Sequence, residues 1–139
     1  MDSMIAFLKE NGINIVAVLV LILLIYPKIK LRMNKNVASI TADDAVLLMK
    51  STRDLVVIDV RTVEEYKFGH IQGARSFPIG EIPRRLNELE KYRGKPLLVH
   101  CATGSRSSRA VAILLKHNYG PIYHMNRGLQ GWSYGLKKN

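Results

Sequence analysis

Cys101 is the only cysteine in the 139-residue chain, and its surroundings suit a reactive thiol. From Leu97 the sequence runs LLVHCATGSRSSRAVAILL: an apolar run, the cysteine, a short polar stretch, then a helical pattern. A thiol at a strand-to-helix junction lies beneath a helix N-terminus, where unpaired N–H groups stabilise an anion. Here those donors belong to Ala102, Thr103, Gly104, Ser105 and Arg106. The same setting lowers a thiol pKa and enlarges the thiolate fraction near neutrality. Gly104 permits the tight curl of such a loop, and Arg106 adds a fixed positive charge able to hold an anionic substrate. A thiolate so placed could attack the outer sulfur of thiosulfate, release sulfite and keep a persulfide. A nucleophile such as cyanide or another thiol would then remove that sulfur. A lone cysteine also excludes an internal disulfide or a multi-cysteine metal site.

The elements that must hold this loop are legible around it. Thr41 opens TADDAVLLMKS, an N-cap followed by acidic residues and apolar residues at helical spacing. Leu55–Val60 (LVVIDV) is a β-branched run of the kind buried on both faces of a parallel sheet. Thr62 and Glu65 form a capping box for a short helix ending near Gly69. Ala74–Phe77 is a short strand stopped by Pro78, and Ile82–Tyr92 a helix with Pro83 in its first turn and Leu86 and Leu89 inward. Leu97–His100 is a buried strand, Ser107–His117 a helix with Val111, Leu114 and Leu115 on one face. Ile122–Met125 is a last strand and Gly128–Gly135 a short helix. This alternation predicts an α/β domain with a largely parallel sheet, whose reactive groups gather beyond the strands' carboxyl ends.

Three linked motifs resemble the rhodanese family. IDVRTVEEYKFGHIQGARSFPIGEI resembles that family's D-V-R segment followed by G-H-I-x-G-A and a proline. HCATGSRS resembles the C-x-x-G-x-R-S loop of its small single-domain members, and MNRGLQGW its closing G-G-x-x-x-W segment, with Asn126 and Arg127 just before the glycine. The resemblance covers about residues 38–135 in the family's order. It implies a central five-stranded parallel sheet flanked by helices, Cys101 as sulfur carrier, and thiosulfate or a sulfur-loaded protein as donor. It also implies a mostly architectural Asp59–Arg61 pair. The acceptor would be cyanide, a thiol or a protein. No metal or organic cofactor is implied.

Two other activities compete. Cysteine-dependent phosphatases and arsenate reductases also carry His-Cys before a cradle and an arginine, but with five intervening residues. Here four separate Cys101 from Arg106, a smaller cradle that favours sulfur over a tetrahedral phosphoryl group. The other alternative is a non-catalytic, membrane-tethered binding module on the same scaffold. His100 adjoins Cys101, yet neighbouring residues on a strand point to opposite faces, so it is read as structural. His70 is read as a hydrogen-bonded scaffold residue, Arg109 as a surface residue or a minor contributor to the site's potential, and Trp132 as core packing.

Residues 13–26 (INIVAVLVLILLIY) carry no charge and are apolar all round the implied helix. They are expected to be one transmembrane helix over 13–31, with Lys28 and Lys30 snorkelling toward the interface and Tyr26 at its edge. The chain then divides into an N-terminal segment 1–12, that helix, a linker 32–37 and the domain 38–139. Lys28, Lys30, Arg32 and Lys35 outnumber Lys9 on the other flank, which predicts a single-pass protein with its domain in the cytoplasm. From residue 36 onward, 16 Lys and Arg face 9 Asp and Glu. The excess is too scattered for a nucleic-acid groove and suits small anions or anionic headgroups.

Overall fold

The computed structural model describes residues 1–32 and 36–139, the side chains of residues 8, 13 and 28–32 excepted. The chain forms two compact units, Met1–Asn34 and Lys35–Asn139.

The first unit is a helix, α1 (Asp2–Arg32). Two stretches of it, Asp2–Gly12 and Asn14–Pro27, meet at a bend of 66°. A glycine at the join leaves the backbone free to deviate there. Val16, Val18, Leu19 and Leu21–Leu24 are all exposed, as expected for a helix that is apolar all round. Among the described residues no single helix is long and apolar enough to cross a membrane; the two bent stretches reach that standard only together. The expected transmembrane helix over 13–31 is therefore not shown: the uncharged run of 14 residues is short and the bend falls at its start. The expected snorkelling of Lys28 and Lys30 and the linker residues 33–35 lie outside the described residues. Of the linker's remaining positions, Arg32 ends α1 and Val37 already opens a strand.

The second unit is an α/β domain built on five parallel strands. These are β1 (Val37–Ile40), β2 (Val56–Asp59), β3 (Arg75–Ser76), β4 (Leu97–His100) and β5 (Ile122–Met125), in the order β1-β5-β4-β2-β3. Every strand pair is parallel, with Asp59 beside both His100 and Ser76, and Val99 beside His124. The central strands β2 and β4 are apolar on both sides because both faces are covered. One face carries Ile58, Val60, Leu97, Val99, Cys101 and Ile122 against Val111 and Leu114. The other carries Val57, Leu98 and Met125 against Ala45, Ile71, Ala74 and the half-buried Trp132.

The helices begin where their side chains cap them. Thr41 and Asp44 close a capping box on α2 (Ala42–Ser51), and Thr62 and Glu65 close one on α3 (Val63–Phe68), which stops at Gly69. The helix expected over Ile82–Tyr92 is instead broken into three pieces: a 3-10 turn at Ile79–Arg84, a single turn α4 (Leu86–Leu89) and a 3-10 turn at Glu90–Tyr92. Arg85 leaves the helical backbone at φ −109° and ψ 17°, and Pro83 falls inside the 3-10 turn that precedes it. Leu89 is nevertheless buried and Leu86 packs on the core, so the inward face survives the break. The last helix, α5 (Ser105–Lys116), starts two residues earlier than its sequence pattern suggested. The expected helix at Gly128–Gly135 shrinks to a 3-10 turn at Gly128–Gly131.

Candidate active site

The loop between β4 and α5 carries Cys101 at the carboxyl edge of the sheet. Gly104 makes its curl possible: at φ 107° it occupies the left-handed region and turns the chain so that α5 starts at the next residue. Its N–H then donates to Cys101 Sγ at 3.0 Å, and the Ser107 hydroxyl lies 3.3 Å from the same sulfur. Cys101 itself has no exposed surface. That burial pushes its thiol up, but hydrogen bonds from the Ser107 side chain and from the backbone of Ser107, Gly104 and Thr103 outweigh it. The thiol is held below its ordinary value, which favours the nucleophilic thiolate.

A second segment backs this loop. The turn after β5 donates from Leu129 N to the Cys101 carbonyl at 3.0 Å and from Gln130 N to the Ala102 carbonyl at 2.9 Å. Two glycines allow the close approach. A Cβ on Gly104 would collide with the Asn126 carbonyl oxygen, and one on Gly128 (φ 57°) with the carbonyl oxygens of Cys101 and Ala102.

The remaining positions singled out in the sequence fall into distinct places. Ala102 is half-buried and Thr103 and Ser105 are exposed along the loop. Gly104 turns its N–H to the sulfur, and the backbone of Thr103 and of Ser107, one residue beyond the predicted set, also helps hold the thiol pKa down. Arg106 forms a bidentate pair with Glu65, at 2.6 Å (Nη1–Oε1) and 3.0 Å (Nη2–Oε2), so its charge is shared with a carboxylate. Asp59 and Arg61 are buried together: Arg61 Nη2 reaches Asp59 Oδ2 at 2.7 Å and the Gly69 carbonyl at 2.8 Å, tying β2 to the end of α3. His100 is fully buried beside Asp59, with Nδ1 3.1 Å from the Cys101 carbonyl oxygen and Nε2 3.8 Å from Asp59 Oδ2. Burial pushes its imidazole toward the neutral form. His70 stacks on Tyr66 and sets Nδ1 2.8 Å from the Tyr66 carbonyl oxygen. Arg109 is exposed on α5. A separate cleft lined by Arg53, Arg75 and Lys95 lies at the amino ends of the strands, away from the cysteine. Among the described residues no group of three or more His, Cys, Asp or Glu side chains could hold a metal ion.

Three neighbours of the loop escaped the sequence reading. Glu65 was visible only as a capping residue, and it keeps that role while also clamping Arg106 across 41 positions. Ser107 was assigned to the helix start. His124, whose Nε2 lies 2.7 Å from Ser107 Oγ, carried only the alternation of β5 as a signal.

The Glu65 carboxyl is held at about 2, from 4.5, chiefly by the Arg106 hydrogen bond and against the opposing effect of burial. A carboxylate with a depressed folded-state pKa adds stability above its unfolded value, and that stability disappears as pH falls through the folded one. Glu65→Gln is therefore expected to cost up to about 1 kcal/mol near neutrality, given the partial exposure of the pair. Urea titrations across pH should show the difference from the parent shrinking below 4.5 and vanishing near 2.

The rhodanese-like domain family matches residues 41–134, a stretch that includes the cysteine loop, both capping boxes and the turn behind the loop. The chain belongs to that family. The rhodanese-like domain shares 33% identity over 89 residues with a sulfurtransferase of Allochromatium vinosum, covering 63% of this chain and 81% of that one. Protein YqhL of Bacillus subtilis strain 168 is 35% identical over 85 residues, 61% of this chain and 66% of its own length. Longer relatives also match, of which this chain spans as little as 28%. Among solved structures, the rhodanese-like domain protein of Staphylococcus aureus superimposes with a TM-score of 0.66 at 29% identity, covering 73% of this chain and 97% of that one.

Proposed function

We propose that the chain is a sulfurtransferase that moves sulfane sulfur from thiosulfate or a persulfide donor to cyanide or a thiol through a persulfide on Cys101. The observation that carries this reading is the position of Cys101 Sγ, which receives the Gly104 N–H at 3.0 Å and faces the Ser107 hydroxyl at 3.3 Å. Those donors stabilise the attacking thiolate first and the terminal sulfur of the persulfide afterwards. The rhodanese-like relatives, a sulfurtransferase among them, support the same chemistry. Arg106 supplies positive potential at the loop, tempered by Glu65, and the Gly104 N–H with the backbone of Thr103 and Ser107 forms the anion cradle. With four residues before Arg106 the loop remains one short of a phosphate cradle, so hydrolysis of p-nitrophenyl phosphate is not expected.

The test is to incubate the protein with thiosulfate, record its intact mass, then add cyanide and assay thiocyanate. One added sulfur that disappears as thiocyanate forms is the expected result. No adduct and no thiocyanate would rule the enzyme out and leave a binding module.

We further propose that α1 attaches the domain to the cytoplasmic side of a membrane. The exposed apolar side chains of Val16–Tyr26 and the basic residues that follow support this. Full-length protein should then pellet with membranes and resist a carbonate wash, and recovery in the supernatant would refute it.

A further inference from the structure

Cys101 and Ser107 have no exposed surface, yet the thiol must shed a proton before it can act as a nucleophile. The sulfur touches one hydroxyl, that of Ser107, at 3.3 Å. That hydroxyl in turn lies 2.7 Å from Nε2 of His124, and 3.1 Å from the Gly104 carbonyl oxygen. His124 is only half-buried. A line of hydrogen bonds therefore leads from the enclosed thiol through one enclosed hydroxyl to an imidazole that meets solvent.

We propose that His124 receives the Cys101 proton through the Ser107 hydroxyl, as a positioning and proton-holding residue behind the nucleophile. The inference rests on Cys101 being the reactive thiol. The S–H bond of Cys101 breaks with its electron pair left on sulfur, and that proton joins Ser107 Oγ. The proton Ser107 previously carried passes to His124 Nε2. The result is a thiolate and an imidazolium joined by a neutral hydroxyl, with no net change in charge. Ser107 then donates to the thiolate and accepts from the imidazolium, while the Gly104 carbonyl keeps the hydroxyl and N–H of Ser108. Reprotonation of the thiolate after sulfur hand-over runs back along the same line.

The surroundings of His124 leave this exchange to Ser107. On either side of β5, Ser39 of β1 and Val99 of β4 stand in register with it. α5 packs against β5 and brings Ser107. None of these is charged; Arg106, the nearest cation along α5 to Ser107, is turned to Glu65. Burial lowers the imidazole's pKa and favours its neutral form, which accepts at Nε2 as the Nδ1–H tautomer.

A single cysteine makes the test clean, because the ultraviolet thiolate step can be read directly with Cys101→Ser as the blank. His124→Gln keeps an amide able to hydrogen-bond Ser107 but unable to take up a proton. It is expected to move the thiolate step upward by about one pH unit, and to slow persulfide formation about tenfold below that step. In a Ser107→Ala background the same substitution should have no further effect. A thiolate step and pH–rate profile unchanged by His124→Gln would overturn the relay while leaving sulfur transfer intact. Should that variant fail to fold, the imidazole titration of His124, followed by NMR in the parent and in Cys101→Ser, decides the matter. Coupling requires the two curves to differ, and identical curves overturn the proposal.

Discussion

Cys101→Ser is expected to bring thiosulfate-dependent thiocyanate formation down to background, a loss of at least ~10³-fold of the kind seen when a covalent nucleophile is removed. The serine hydroxyl stays protonated at neutral pH, so the donors that favour a thiolate have no anion to stabilise. It also cannot leave as a sulfur-based leaving group when the acceptor attacks. The fold should persist, since Gly104 N–H and Ser107 Oγ can hydrogen-bond an oxygen where they now meet sulfur. Circular dichroism and thermal melting check that point, and the cyanide assay checks activity. Thiocyanate formation that survived in a folded Cys101→Ser protein would place the chemistry elsewhere.

Gly128→Ala and Gly104→Ala are expected to have the largest effects on stability. Each adds two costs. A residue with a side chain is strained in the left-handed region, at φ 57° and 107° respectively. The new Cβ then meets backbone carbonyl groups rather than a side chain that could swing away: Cys101 and Ala102 for Gly128, Asn126 for Gly104. Together these should cost about 3 kcal/mol or more. That is a large share of the 5–15 kcal/mol typical of a domain, and it should lower the melting temperature by roughly 10 °C or more. Gly94 serves as a control. It too has a positive φ (80°), but its Cβ would meet open space, so Gly94→Ala should cost only about 1 kcal/mol.

Local signals carried much of the fold. β4 runs from Leu97 to His100 and β5 from Ile122 to Met125, as their apolar runs suggested. The Thr62–Glu65 box and Gly69 bound α3 as read, because caps act between residues three or four apart. The segment from Ile82 to Tyr92 was misread for a related reason. Its apolar spacing suits a helix, but the backbone at Arg85 interrupts it, and packing of Leu89 does not need a continuous helix.

The candidate loop was legible as far as its geometry is sequential. Cys101, Gly104 and the loop N–H groups lie within a few residues of one another. What was not readable arises where distant segments meet. Arg106 was expected to hold an anion, but α3 presents Glu65 to it. Ser107 faces the sulfur because Gly104 starts α5 early, which no propensity would reveal. His124 reaches Ser107 only because β5 pairs with β4.

The hydrogen bonds from Leu129 and Gln130 to the carbonyls of Cys101 and Ala102 also constrain what this scaffold can become. A designer wishing to turn the loop into a phosphate-binding one would insert a residue before Arg106. The lengthened loop would push against the turn at Asn126–Gly128, which already touches it at Gly104. The two segments are thus a single cassette, to be exchanged together. Any change in the loop's length would have to be matched by a change in the wall behind it.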